Sequence, residues 1–141
     1  MDGLVGVLLV WIAVQMGCEA PEPPQVRQVS PTVLVQLAYG PAAPQGASVV
    51  ALYERNSRTV NLSNTWRADS VKDRSTLVHE LVHHVQEATG MQYPCLAARE
   101  TLAYHLQAKW LREEQGIANP YALMGVDEFT IRIRSLCSES E

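Results

Sequence analysis

The chain has 141 residues, 47% of them hydrophobic and 18% charged, with a formal net charge of −4. That length supports one domain of ordinary size rather than two, and the apolar fraction excludes a disordered chain. With 15 acidic residues against 11 basic ones there is no electrostatic footprint for nucleic acid.

Residues 3–17, GLVGVLLVWIAVQMG, carry no charge. A standard spanning helix needs about 20 apolar residues, so this run has the length of a signal-peptide h-region. Two other readings stay open: an uncleaved anchor and an N-terminal core helix. Residues 19–31, EAPEPPQVRQVSP, hold four prolines and are expected to form a semi-rigid spacer, neither helix nor strand. The stretch 32–39 suits either a strand or a short helix. A Pro/Gly loop follows at 40–46. Residues 48–53 (SVVALY) and 58–62 (RTVNL) flank the polar ERNS and predict a β-hairpin. Helical periodicity then covers 70–89 and 94–115, with a shorter stretch at 127–136. Strands followed by helices, without alternation, predict an α+β domain over 32–141.

The chemistry concentrates in His79-Glu80-Leu81-Val82-His83, an HExxH motif. Residues at i and i+4 share a helix face, so both imidazoles can reach one metal ion, with Glu80 beside them to accept a proton from an activated water. At this composition the pattern is expected by chance only about 0.01 times in the chain. Leu77, Val78, Leu81, Val82, Val85 and Ala88 fill one arc of about 140° on the helix, and His79, His83 and Gln86 lie just past its edge. That places the pair at the boundary between core and cleft. His84 points further round.

A catalytic zinc takes three protein ligands and keeps one position open. On the second long helix, Leu96, Ala97, Ala103, Tyr104, Leu106, Trp110 and Leu111 form an apolar face with Glu100 near its middle. A lone carboxylate there is costly unless it is paired or bound to metal. Glu100 is therefore the expected third ligand, the competing reading being a buried ion pair with Arg99 or Arg74. His105 falls about 140° away and is expected to be solvated. Tyr104, one turn from Glu100 on the same face, is the candidate oxyanion donor, and Tyr93 is next.

HELVH with a glutamate on the following helix resembles the gluzincin branch of the zinc metallopeptidases. Gln86-Glu87-Ala88-Thr89-Gly90 after His83 departs from the metzincin pattern, which needs a third histidine. The stretch 49–137 is also similar to short bacterial gluzincin-like domains of unassigned function. In those, a hairpin precedes HELVHHxQ and a YPC…RE segment carries the third ligand; here these are His79 to Gln86 and Tyr93-Pro94-Cys95 leading to Arg99-Glu100. The resemblance implies a minimal zincin-like fold, a Zn²⁺ cofactor on His79, His83 and Glu100, Glu80 as proton acceptor, and a peptide or protein substrate pairing with the hairpin edge by β-augmentation. A non-catalytic lipoprotein, stapled by a structural zinc, is the alternative.

Gly17-Cys18 at the end of the apolar run resembles the lipobox of bacterial lipoproteins, although Gln15 and Met16 stand where that pattern has Leu and a small residue. The resemblance implies a leader over 1–18, lipid on Cys18 and export to the periplasm or cell envelope, tethered to the membrane. An oxidising compartment would make Cys95 and Cys137 candidates for one disulfide; the other reading is two buried thiols.

Overall fold

The computed structural model describes residues 1–138 as a small α+β domain of six helices and a three-stranded mixed sheet. In chain order these are α1 (Asp2–Met16), β1 (Gln25–Val29), α2 (Pro31–Tyr39), β2 (Ala51–Glu54), β3 (Thr59–Ser63), α3 (Val71–Ala88), α4 (Glu100–Gln115), α5 (Pro120–Met124) and α6 (Glu128–Arg134). The sheet order is β1-β3-β2.

The hairpin forms where alternating apolar residues flank a polar turn. β2 and β3 pair antiparallel, with Tyr53 opposite Val60, and Arg58 closes the turn at φ 48. β3 is the central strand and every one of its residues is buried. Its Val60 and Leu62 enter the main core, while the buried Asn61 is satisfied by Arg27 and by Glu54 Oε1 at 2.7 Å. Being at the sheet edge, β2 has one side unpaired.

β1 lies inside the stretch expected to be a spacer, and it pairs parallel with β3 from Gln25 opposite Thr59 to Val29 opposite Ser63. The spacer expectation over 19–31 is corrected there. The prolines at 21, 23, 24 and 31 flank QVRQV and none interrupts it, so the ladder keeps its donors. Residues 32–39 settle as helix, because Ser30 caps α2 by accepting from Val33 N and Pro31 fits the first turn.

α1 is apolar on all sides. Its inner side buries Val5, Leu8, Leu9, Ile12 and Ala13 against α3 and the main core, while Val7, Val10 and Val14 stay exposed. In the structure this segment packs as a helix on the core. Among the described residues no helix is long and apolar enough to cross a membrane.

α3 starts at Ser70, whose hydroxyl accepts from Asp73 N at 3.1 Å. Leu77, Val78, Leu81, Val82 and Val85 are fully buried and meet Ala103, Leu106, Trp110 and Leu111 of α4 in one cluster. The second long helix begins later than its periodicity suggests. Cys95 is extended, Leu96–Arg99 winds as a 3₁₀ turn, and the α-helix proper opens at Glu100. Leu96 is consequently exposed rather than part of the apolar face. The turn delivers Glu100 at the first position of α4, facing α3.

Cys95 and Cys137 are joined as a disulfide, 42 positions apart, which ties the segment after α6 to the turn before Glu100. α6 itself buries no residue, so this bond is a main attachment of the C-terminal segment. A C95S/C137S double variant is expected to lose about 4 kcal/mol of stability by chain-entropy reasoning. Urea denaturation measures it, and an unchanged midpoint would show that the bond constrains little.

Candidate metal centre

His79 and His83 project from one face of α3, and Glu100 meets them from the first turn of α4. Glu100 Oε2 is 3.1 Å from His79 Nε2, and Oε1 is 2.5 Å from His83 Nε2. One donor atom from each of the three lies within 4.8 Å of the others, a group that could hold a metal ion. Arg74, one competing partner of Glu100, donates instead to Ala68 O and Gln115 Oε1, and among the described residues no ion pair joins Arg99 to Glu100.

The far nitrogens of both rings are fixed by glutamines. His79 Nδ1 is 2.9 Å from Gln107 Oε1, and Gln107 Nε2 donates to Ser75 Oγ. His83 Nδ1 is 2.8 Å from Gln86 Oε1, and Gln86 Nε2 donates to Tyr93 Oη and to Arg99 O. Because each amide nitrogen is engaged, each amide oxygen faces its imidazole as an acceptor. That places a ring proton on each Nδ1 and turns each Nε2 toward Glu100, the arrangement that orients a metal-binding histidine. Donors of two imidazoles and one carboxylate suit Zn²⁺ in kind and number for a site with one open position.

Electrostatics hold the cluster tightly. Burial alone would lower the His79 pKa, but the hydrogen bond to Glu100 and the charges of Glu80 and Glu100 outweigh it and raise it. Burial would likewise raise Glu100, yet hydrogen bonds from His79 and His83 hold it well below the usual carboxylate range.

Glu80 sits beside the cluster and is pushed up by its own burial, with the charge of Glu100 adding to the effect. Its Oε1 accepts from the backbone N–H of Tyr53 at 3.0 Å. Strand alternation turns the N–H and C=O of Ala51 and Tyr53 away from β3, so the free edge of β2 faces α3 at this point. Tyr104 stacks edge-on against His79 with ring centroids 4.5 Å apart, and its hydroxyl accepts from Arg134 Nη1 at 2.7 Å. Burial raises the Tyr104 pKa, which keeps its O–H available as a donor. A cleft of roughly 500 Å³ opens over the group, lined among others by Ala51, Tyr53, Glu80, Arg99, Tyr104 and Arg134.

The cleft thus gathers five residues singled out in the sequence: His79, Glu80, His83, Glu100 and Tyr104. Tyr93 instead lies behind the cluster as a support for Gln86. His105 is exposed on α4, and His84 is buried away from the cleft between Tyr53 Oη and Glu22 O. Periodicity passed over Gln107, Arg99 and Arg134. Gln107 carried a usable signal, since seven residues from Glu100 is two turns along one face.

A family described as a domain of unknown function (DUF6647) matches residues 1–139. The chain belongs to that family. No curated protein and no solved structure matches it.

In this member of the family, Q107L removes the acceptor on His79 Nδ1 while nearly preserving side-chain volume. It is expected to weaken Zn²⁺ affinity by about 10- to 100-fold. Competitive titration against a chromophoric chelator reads the change, and unaltered affinity would show that Gln107 does not orient the ligand.

Proposed function

We propose that this chain is a zinc-dependent peptidase, with His79, His83 and Glu100 as ligands and Glu80 as the group that moves the proton. One observation carries the reading: the Glu80 carboxylate opens into the same cleft as the two Nε2 atoms, held there by a backbone N–H of the sheet's edge strand. A site that only stapled the fold would not need that carboxylate. The gluzincin-like HELVH and following Glu support the same assignment.

Bound at these three ligands, zinc would polarise a scissile carbonyl and acidify a water molecule. The chain's own residues supply the remainder. The free edge of β2 at Ala51 offers a donor and an acceptor to an extended peptide, which fixes the substrate alongside α3. Glu80 uses Oε1 to keep its place against Tyr53 N and has Oε2 free to take a proton and return it to the departing amine. Its raised pKa, with burial as the main cause, makes that carboxylate a better base than a solvated one. Tyr104 offers its O–H to negative charge developing on the carbonyl oxygen, and Arg134 holds that hydroxyl in position.

Export and tethering through Cys18 form the second part of the proposal. They rest on the lipobox-like Gly17-Cys18 and on the uncharged run over 3–17 that precedes it.

Purified wild type and E80Q are to be compared for zinc content and for hydrolysis of an unbiased peptide mixture. E80Q is expected to keep its zinc and to lose about 10²- to 10⁴-fold in rate. Full activity in E80Q would remove Glu80 from the mechanism. A zinc-loaded wild type that cuts nothing in the mixture would favour the structural-zinc alternative.

A further inference from the structure

Arg99 is a charge without an assigned task. It ends the 3₁₀ turn, directly precedes Glu100, and is among the residues that line the metal cleft. Its Nε donates to Leu96 O at 3.3 Å, while its Nη1 is shut off from solvent and has no hydrogen-bond partner. Among the described residues this is the one buried side-chain nitrogen or oxygen left unsatisfied. Such a group carries the desolvation cost of burial with nothing to offset it.

Among the described residues each acid near it already has a partner. Glu100 is held by His79 and His83. Glu80 accepts from Tyr53 N, and Glu87 is paired with Arg55 at 3.0 Å. An ion on the three ligands would commit Glu100 further. The residue is nevertheless firmly placed, because Arg99 O accepts from Gln86 Nε2, the same amide that fixes His83. The other guanidinium of the cleft, Arg134, already donates Nη1 to Tyr104. The cleft therefore combines a guanidinium that has no ion pair among the described residues with a candidate site for a divalent cation, in a chain that is acidic overall.

We infer that Arg99 is the specificity-determining residue of this site and that it receives a carboxylate of the substrate. The preferred substrate is an anionic peptide, its charge supplied either by an acidic side chain or by a free C-terminus near the scissile bond. A guanidinium meets a carboxylate in a charge-assisted hydrogen bond, which an amide cannot reproduce. This inference rests on the peptidase reading for its substrate class, but the pairing itself is measurable without turnover.

The test uses the full chain loaded with zinc, and calorimetry with succinate and glutarate beside their monoamides, succinamate and glutaramate. One carboxylate can meet the metal and the other can meet Arg99. Wild type is expected to bind at least one dicarboxylate about ten-fold more tightly than its monoamide. R99Q should bring the two within about two-fold at unchanged zinc content, and R99K, which keeps the charge without the fork, should fall between. Equal affinities in wild type, or a preference that survives R99Q in a zinc-replete protein, would overturn the inference. Peptide pairs then separate the two sources of charge: internal Glu against Gln, and free C-terminus against C-terminal amide. If wild type shows the carboxylate preference but cuts no peptide, the peptidase reading fails and the role of Arg99 as an anion receptor stands. A chain that takes up no zinc defeats both.

Discussion

A carboxylate pressed into the seam between two helices sets the terms for this molecule. Glu100 lies at the start of α4 where the helix packs on the apolar stripe of α3, and burial of that charge is tolerable only because two imidazoles meet it. The imidazoles can meet it only if their rings are turned correctly, which is the work of Gln107 and Gln86. Those glutamines depend in turn on Ser75, Tyr93 and the backbone of Arg99. A chain of satisfied polar groups thus runs from the first turns of α3, through the cleft, to the turn before α4.

The same seam explains the placement of the sheet. Tyr53 belongs to the core, and its backbone N–H points at Glu80, so the hairpin and the HExxH helix are registered against each other by one bond at the cleft. One turn further along α3, His84 takes hydrogen bonds with Tyr53 Oη and with Glu22 O, which fastens the approach to β1. α3 is therefore the common support of the sheet, of α1 and of α4, and it tolerates three buried histidines because each has a partner on both ring nitrogens.

Much of this was legible in the sequence because it depends on local periodicity. The stripe from Leu77 to Val85 announced α3, the polar ERNS announced the hairpin turn, and the i, i+4 histidines announced the cluster. Glu100 was readable from the cost of a carboxylate among apolar neighbours, even though Leu96, one of the neighbours used, turned out to be exposed. What resisted reading was long-range. The strand QVRQV has no alternation of its own and becomes β1 only because β3 has a free side 34 positions away. Gln107 and Arg134 look like surface residues of their helices until α3 and α6 are placed against Tyr104 and His79. Arg99 was visible as a possible partner for Glu100, and its actual isolation follows from the histidines having taken that place.

The separations along the chain also imply an order of events. Glu100 and His79 are 21 positions apart and sit on consecutive helices, whereas β1 must find β3 across 34 and Cys137 must find Cys95 across 42. Closing a short helical hairpin costs less chain entropy than pairing distant strands, so local contacts lead in folding. On this count the α3–α4 hairpin, with all three candidate ligands, assembles ahead of the full sheet and of the C-terminal bond. A young chain would be able to capture an ion before its cleft is finished, and the late bond between Cys95 and Cys137 would close the structure around a centre already made.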